Sequence, residues 1–136
     1  MRNSLANGDI VTNEAPLARV EGDALIVEDN VLIAMDSENI LRELGIERCH
    51  IAVSVSEALK VISASPITFA LLDICLRDET CEEIATTLEG EGIPFVFASG
   101  YDDLSLLSRD FGAVPSIAKP FSTREVRAAI AKLGFV

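Results

Sequence analysis

Glu28, Asp29, Asp73, Ser99 and Lys119 share one property: each closes a short apolar run, at residues 24–27, 69–73, 95–98 and 114–118. If those runs are neighbouring parallel strands, all five residues arrive at the same rim, because open parallel sheets gather ligands beyond the carboxyl ends of their strands. Three carboxylates meeting there repel one another and raise each other's pKa unless a cation neutralises them. Oxygen-only donors of this kind suit Mg²⁺. Lys119 adds a mobile positive charge and Ser99 a hydroxyl donor, a pair able to hold the oxygens of a phosphoryl group. Taken singly, each residue has a plainer reading. Asp29 with Asn30 reads as a helix cap, Asp73 as a strand terminus, Ser99 before Gly100 as a turn, and Lys119 as a solvated surface charge.

The elements that would position these residues are legible from periodicity. Short apolar runs at 24–27, 51–53, 69–73, 95–98 and 114–118 alternate with segments of helical period, the pattern of a parallel sheet covered on both faces. The helical stripes are Ile33, Ser37, Ile40, Leu41 and Leu44; Val55, Leu59 and Ile62; Cys81, Ile84, Ala85 and Leu88; Leu104, Leu107 and Phe111; and Val126, Ala129, Ile130 and Leu133. Capping boxes are expected at Ser54 with Glu57, Thr80 with Glu83 and Ser122 with Glu125. Gly45 and Gly112 stand where helix ends favour positive φ, and Pro66 and Pro94 precede strands. Five β-α units are expected. Residues 1–21 lack either periodicity and carry Asn3, Asn7, Gly8, Asn13 and Pro16, so they read as a flexible N-terminal arm before a domain spanning 22–136.

Composition narrows the function classes. A chain of 136 residues is one domain. Its longest apolar run, 31–35, is far below the roughly 18 residues of a membrane span. With no signal-peptide pattern after Met1, a cytoplasmic protein is expected. Cys49, Cys75 and Cys81 form an odd set without a C-x-x-C pair and read as small packed residues in a reducing compartment. A net charge of -11 opposes binding to nucleic acid or to anionic lipid. The single histidine, His50, falls at an expected strand start and reads as a structural or surface residue.

Together, Leu25-Ile-Val-Glu28-Asp29, Leu72-Asp73, Ala98-Ser99 and Lys119-Pro120-Phe121 resemble the receiver domain of bacterial response regulators over about residues 23–134. Pro94-Phe-Val-Phe-Ala-Ser-Gly-Tyr101 is similar to the P-F-x-F-A-T-G-Y signature of a subfamily of single-domain receivers, with Ser99 for the usual Thr. The resemblance implies a CheY-like, flavodoxin-like three-layer sandwich, with a doubly wound five-stranded parallel sheet in the order 2-1-3-4-5. It implies that Asp73 accepts a phosphoryl group from a sensor histidine kinase, of the HWE type, or from a histidine phosphotransfer protein. Asp29, Asp73 and the Cys75 backbone carbonyl would ligate Mg²⁺, with Glu28 acting partly through water. Ser99, Tyr101 and Lys119 would form the switch that a downstream protein partner reads, and a homodimer is compatible with the family.

The departures from the pattern also carry meaning. Ser116 stands where many receivers place a swinging aromatic ring. Cys75 and Tyr101 occupy the two positions that influence attack of water on the phosphoaspartate, and neither positions water well, so slow self-dephosphorylation is expected. Asp78-Glu79 replaces a commonly seen Gly. The last helix runs out near Leu133, so no output domain is expected to follow. Two alternatives stand beside this reading: an unphosphorylated adaptor of the same fold, and an aspartyl-phosphate phosphatase, which would want an acid where Cys75 stands. A flavin-binding module ranks last, because Glu28-Asp29 would repel the flavin phosphate.

Overall fold

The computed structural model describes residues 22–100 and 102–134; the expected arm at 1–21 and the candidate switch residue Tyr101 lie outside the described residues. In chain order the elements are β1 (Asp23–Val27), α1 (Val31–Glu43), β2 (Arg48–Ala52), α2 (Val55–Ala64), β3 (Ile67–Asp73), β4 (Cys75–Leu76), β5 (Glu79–Thr80), α3 (Glu82–Gly90), β6 (Phe95–Ser99), a 3-10 turn at Asp103–Leu106, β7 (Ser116–Ala118) and α4 (Thr123–Ala131). Five strands form one parallel sheet in the order β2-β1-β3-β6-β7, and β4 pairs with β5 in a separate antiparallel hairpin. With the hairpin set aside, this is the expected 2-1-3-4-5 order.

Alternation along the strands builds two cores. Leu25, Val27, Ala70, Leu72, Phe95 and Phe97 point to the side covered by α2 and α3, where Val55, Ala58, Ile62, Ile84, Ala85 and Leu88 meet them. Ala24, Ile26, Phe69, Leu71, Val96 and Ala98 face α1 and α4, through Ala34, Leu41, Val126, Ala129 and Ile130. Because both faces are covered, the central strands read as unbroken apolar runs. Successive residues serve opposite cores.

The helix ends follow their local chemistry. Asn30 caps α1 by accepting from the Leu32 and Ile33 N–H groups. The far end of α1 closes with Ile46 N–H to the Leu41 carbonyl and Gly45 N–H to the Arg42 carbonyl. Gly45 holds φ 98° there, a conformation that costs glycine little. The same closure ends α3 at Gly92 and Ile93. Ser122 makes the full reciprocal box with Glu125. Ser54 accepts from Glu57 N–H, but the Glu57 carboxylate reaches Val53 N–H instead of Ser54.

Several expectations need correction. Thr80 pairs with Cys75 in the hairpin, so Cys81 takes the N-cap position of α3 and the expected Thr80 box is absent. Gly112 is not among the positive-φ residues. His50 falls in the middle of β2, and its Nε2 lies 2.7 Å from Asp23 Oδ2.

The expected fourth helix is only a 3-10 turn of four residues. Asp102 sits at φ 64° and its carbonyl accepts from Ser105 Oγ, a local bond that competes with helix. Beyond the turn, Ser108 is bound by Glu82 of α3, while Arg109 pairs with Glu89 and stacks 3.8 Å over the Phe111 ring. So Phe111 is buried while Leu104 stays exposed. A run this short cannot offset the cost of helix nucleation.

Candidate functional site

Four strand ends supply the site. Asp73 is the last residue of β3 and Ser99 the last of β6, while Glu28 and Asp29 follow β1 and Lys119 follows β7. Parallel registers bring them together: Val27 lies beside Leu72, Asp73 beside Ala98, and Ser99 beside Ala118. Lys119 N–H donates to the Ser99 carbonyl at 2.9 Å, fixing the start of the connection to α4, and the Lys119-Pro120 peptide is cis.

At this rim one carboxylate oxygen each from Glu28, Asp29 and Asp73 lies within 4.8 Å of the others. Lys119 Nζ stands 2.9 Å from Asp73 Oδ1 and 3.3 Å from Glu28 Oε1. Asp73 and Glu28 are only 3% and 4% exposed, whereas Asp29 is half-buried. Glu28 Oε2 accepts from Asn30 N–H at 3.1 Å, so the turn that caps α1 also orients this acid.

Burial governs the protonation of the cluster. Desolvation is the main reason the Glu28 carboxyl rises from 4.5 to about 7; the Asn30 N–H pulls it down, Asp73 pushes it up and Lys119 lowers it. Desolvation likewise raises Asp73, against the hydrogen bond and charge of Lys119. Burial disfavours the Lys119 ammonium, but its hydrogen bond and charge contacts with Asp73, and then with Glu28, outweigh it and raise its pKa. The shared ammonium favours the ionised form of both acids but offsets only part of the cost of their burial.

The donor set fits a divalent cation. Three carboxylates against one ammonium leave two negative charges uncompensated when all are ionised. Asp73 Oδ1 is fully buried with the Lys119 ammonium as its ion-pair partner at 2.9 Å, and the carboxylate keeps lone pairs able to face a hard cation.

Ser99 is buried at the same rim, with its Oγ 3.3 Å from Ser116 Oγ. Cys75 follows Asp73 closely, and its nearby backbone N–H lowers the pKa of the Asp73 carboxyl. Its thiol is raised by desolvation and by the neighbouring Asp103. Cys49 and Cys81 are pushed by burial to about 11 and about 12 and serve as packing groups. Asp103 was not foreseen from sequence: its Oδ2 accepts from Gly100 N–H at 2.6 Å and pins the loop after β6. An Asp three residues beyond a Ser-Gly turn was the available signal.

Comparison with known proteins agrees with this geometry. The profile of the "Response regulator receiver domain" family matches residues 24–131. The phyllosphere-induced regulator PhyR of Methylorubrum extorquens is 32% identical over 119 residues, which cover 83% of this chain and 43% of that protein. The chain thus spans less than half the length of that relative. The solution structure of SdrG from Sphingomonas melonis Fr1 aligns with a TM-score of 0.73 at 39% identity, covering 82% of this chain and 94% of that one. The receiver domain of Erythrobacter litoralis PhyR aligns with a TM-score of 0.75 at 26% identity, over 87% of this chain and 94% of that one. With the acids, the ammonium and the sheet order all in place, the chain belongs to the response regulator receiver domains of two-component signalling.

Proposed function

We propose that Asp73 is the phosphoacceptor and that the chain works as a phosphorylated switch. In the transfer, a carboxylate oxygen of Asp73 bonds to phosphorus as the P–N bond of a phosphohistidine breaks. The imidazole leaves with its electron pair and Asp73 becomes an acyl phosphate. The observation that carries the reading is the Lys119 ammonium at 2.9 Å from Asp73 Oδ1 and 3.3 Å from Glu28 Oε1.

Asp29 and Asp73, with the Cys75 carbonyl, would hold Mg²⁺, and Glu28 would assist through water. Bound there, the ion supplies charge neutralisation for the transferring group. Lys119 holds the phosphoryl oxygens in line and offsets their charge, so positioning and electrostatics supply most of the rate. Ser99, which now faces Ser116, turns to the phosphate once it is in place. Tyr101 completes the switch in this reading.

Beside the pocket, α1 exposes Val31, Leu32 and Met35, with Leu32 74% exposed. Apolar side chains in open solvent next to the acceptor suit contact with the phosphodonor protein. A sensor kinase of the HWE type or a histidine phosphotransfer protein is the proposed donor, and the cytoplasm the proposed setting. Similarity to the structure of the PhyR stress response regulator, at 31% identity over 47% of that chain, supports a role in stress signalling. Among the described residues no helix is long and apolar enough to cross a membrane.

Intact-protein mass after incubation with Mg²⁺ and acetyl phosphate tests the reading. A hydroxylamine-labile phosphoryl adduct is expected on the native chain and none on Asp73→Asn. No adduct on the native chain would favour the unphosphorylated adaptor instead.

A further inference from the structure

The loop after the acceptor is not an open turn. Cys75 pairs with Thr80 and Leu76 with Glu79, and Cys81 N–H extends the ladder to the Ile74 carbonyl, one residue from Asp73. Arg77 sits at φ 51° in the tip. A two-stranded ribbon of this length is marginal without outside support. Part of that support is apolar, since Ile74, Leu76 and Cys81 are buried in the core with α2 and α3.

The tip has another source. Glu79 Oε2 accepts from the Val55 N–H of α2 at 3.1 Å, a contact between residues 24 apart in sequence. Val55 is the first residue of α2, where the N–H groups lack helical partners. Ser54 answers the Glu57 N–H, and Glu79 answers Val55. The acid also lies at the positive end of the helix. One carboxylate therefore closes a helix start and fixes the hairpin strand opposite Leu76. That hairpin carries Cys75, two residues beyond Asp73 and paired with Thr80; the Cys75 carbonyl is the proposed backbone ligand.

We propose that Glu79 is a positioning residue for the phosphoacceptor: by tying the 75–80 hairpin to the start of α2, it holds the Cys75 backbone in register with Asp73. It touches neither phosphate nor metal in this reading and acts through the hairpin. Length and hydrogen bonding are what matter, because the contact spans from a strand to another element's backbone N–H. Charge is secondary, since the cluster already carries excess negative charge. The metal part of the inference rests on the function proposed above; the backbone part does not.

Two variants separate reach from charge. Glu79→Gln keeps an acceptor oxygen at the same reach and removes the charge, while Glu79→Asp keeps the charge and shortens the arm by one methylene. Hydrogen exchange in metal-free protein should be faster at the Val55 and Cys75 amides of Glu79→Asp and near native in Glu79→Gln. Titration with Mg²⁺, followed in ¹H–¹⁵N spectra, should show affinity weakened about tenfold in Glu79→Asp, the scale seen for groups that orient metal ligands, and near native in Glu79→Gln. Native exchange at Cys75 in Glu79→Asp would overturn the proposal, as would a loss confined to Glu79→Gln, which would assign the effect to charge. If the native chain bound no Mg²⁺, the functional reading would fall, while the exchange comparison would still decide whether Glu79 holds the hairpin.

Discussion

If Asp73 accepts the phosphoryl group as proposed, two neighbours would divide the work of forming and keeping the acyl phosphate. Lys119 is held by two buried acids, so it is charged and aimed before any phosphoryl group arrives. Replacing it with Ala leaves Glu28 and Asp73 buried without their cation, and phosphorylation by acetyl phosphate should slow by roughly two orders of magnitude, the usual loss when one preorganised electrostatic group is removed. Pseudo-first-order labelling rates at saturating Mg²⁺ would show it. In the proposed function Cys75 would govern the reverse direction. Its thiol, held protonated by burial and by Asp103, is a poor group for orienting water. Cys75→Asn should shorten the phosphoaspartate lifetime several-fold, measured by the decay of the phosphorylated mass; an unchanged or longer lifetime would remove Cys75 from the account of dephosphorylation.

At the scale of the elements, the two Ser/Thr-Glu signals that structure distinguishes make a direct comparison. Ser122 caps α4 reciprocally with Glu125, whereas Thr80 belongs to the hairpin and only its Oγ1, 3.4 Å from Glu82 N, approaches α3. Ser122→Ala should therefore cost about 1 kcal/mol in urea unfolding, and Thr80→Ala less than half as much. Both sequences satisfy the same pattern, so the difference comes from tertiary pairing: Cys75 and Leu76 claimed residues 79–80 for a ladder before α3 began. The stripe at Leu104, Leu107 and Phe111 was lost in a similar way. Glu82 and Glu89 of α3 bind Ser108 and Arg109, and so hold that segment in a bent, non-helical path that leaves Leu104 and Leu106 in solvent.

For the molecule as a whole, the acid cluster links stability to pH and metal. Glu28 titrates at about 7 in the fold against an ordinary 4.5, so between those values the folded chain binds more protons than the unfolded one. Stability therefore falls as pH rises from 4.5 to 7, and Asp73, also raised, acts in the same direction. Lys119 is raised too, but its contribution is lost only above 10.5, outside this window. At 1.36 kcal/mol per unit, the loss attributable to Glu28 is up to about 3 kcal/mol. In chelator, the urea midpoint should be lower at pH 8 than at pH 5.5. Adding Mg²⁺ at pH 8 to a hundred times its Kd should restore about 2.7 kcal/mol, with a smaller gain at pH 5.5, where protons compete for the acids. A midpoint that rises with pH in chelator would contradict this coupling.

Sequence alone determined the sheet, because each central strand is apolar on both faces and ends in a chemically distinctive residue. Glu28, Asp29, Asp73, Ser99 and Lys119 were legible for that reason: parallel strands must deliver their carboxyl ends to one rim. What only the tertiary structure decided were the contacts between groups distant in the chain. Glu79 on Val55, Ser116 on Ser99 and His50 on Asp23 join residues 24, 17 and 27 apart. Periodicity reports which face of an element is buried, since burial is averaged over many side chains. A single polar contact depends on where two separate elements cross, and that position is set by the packing of the cores between them.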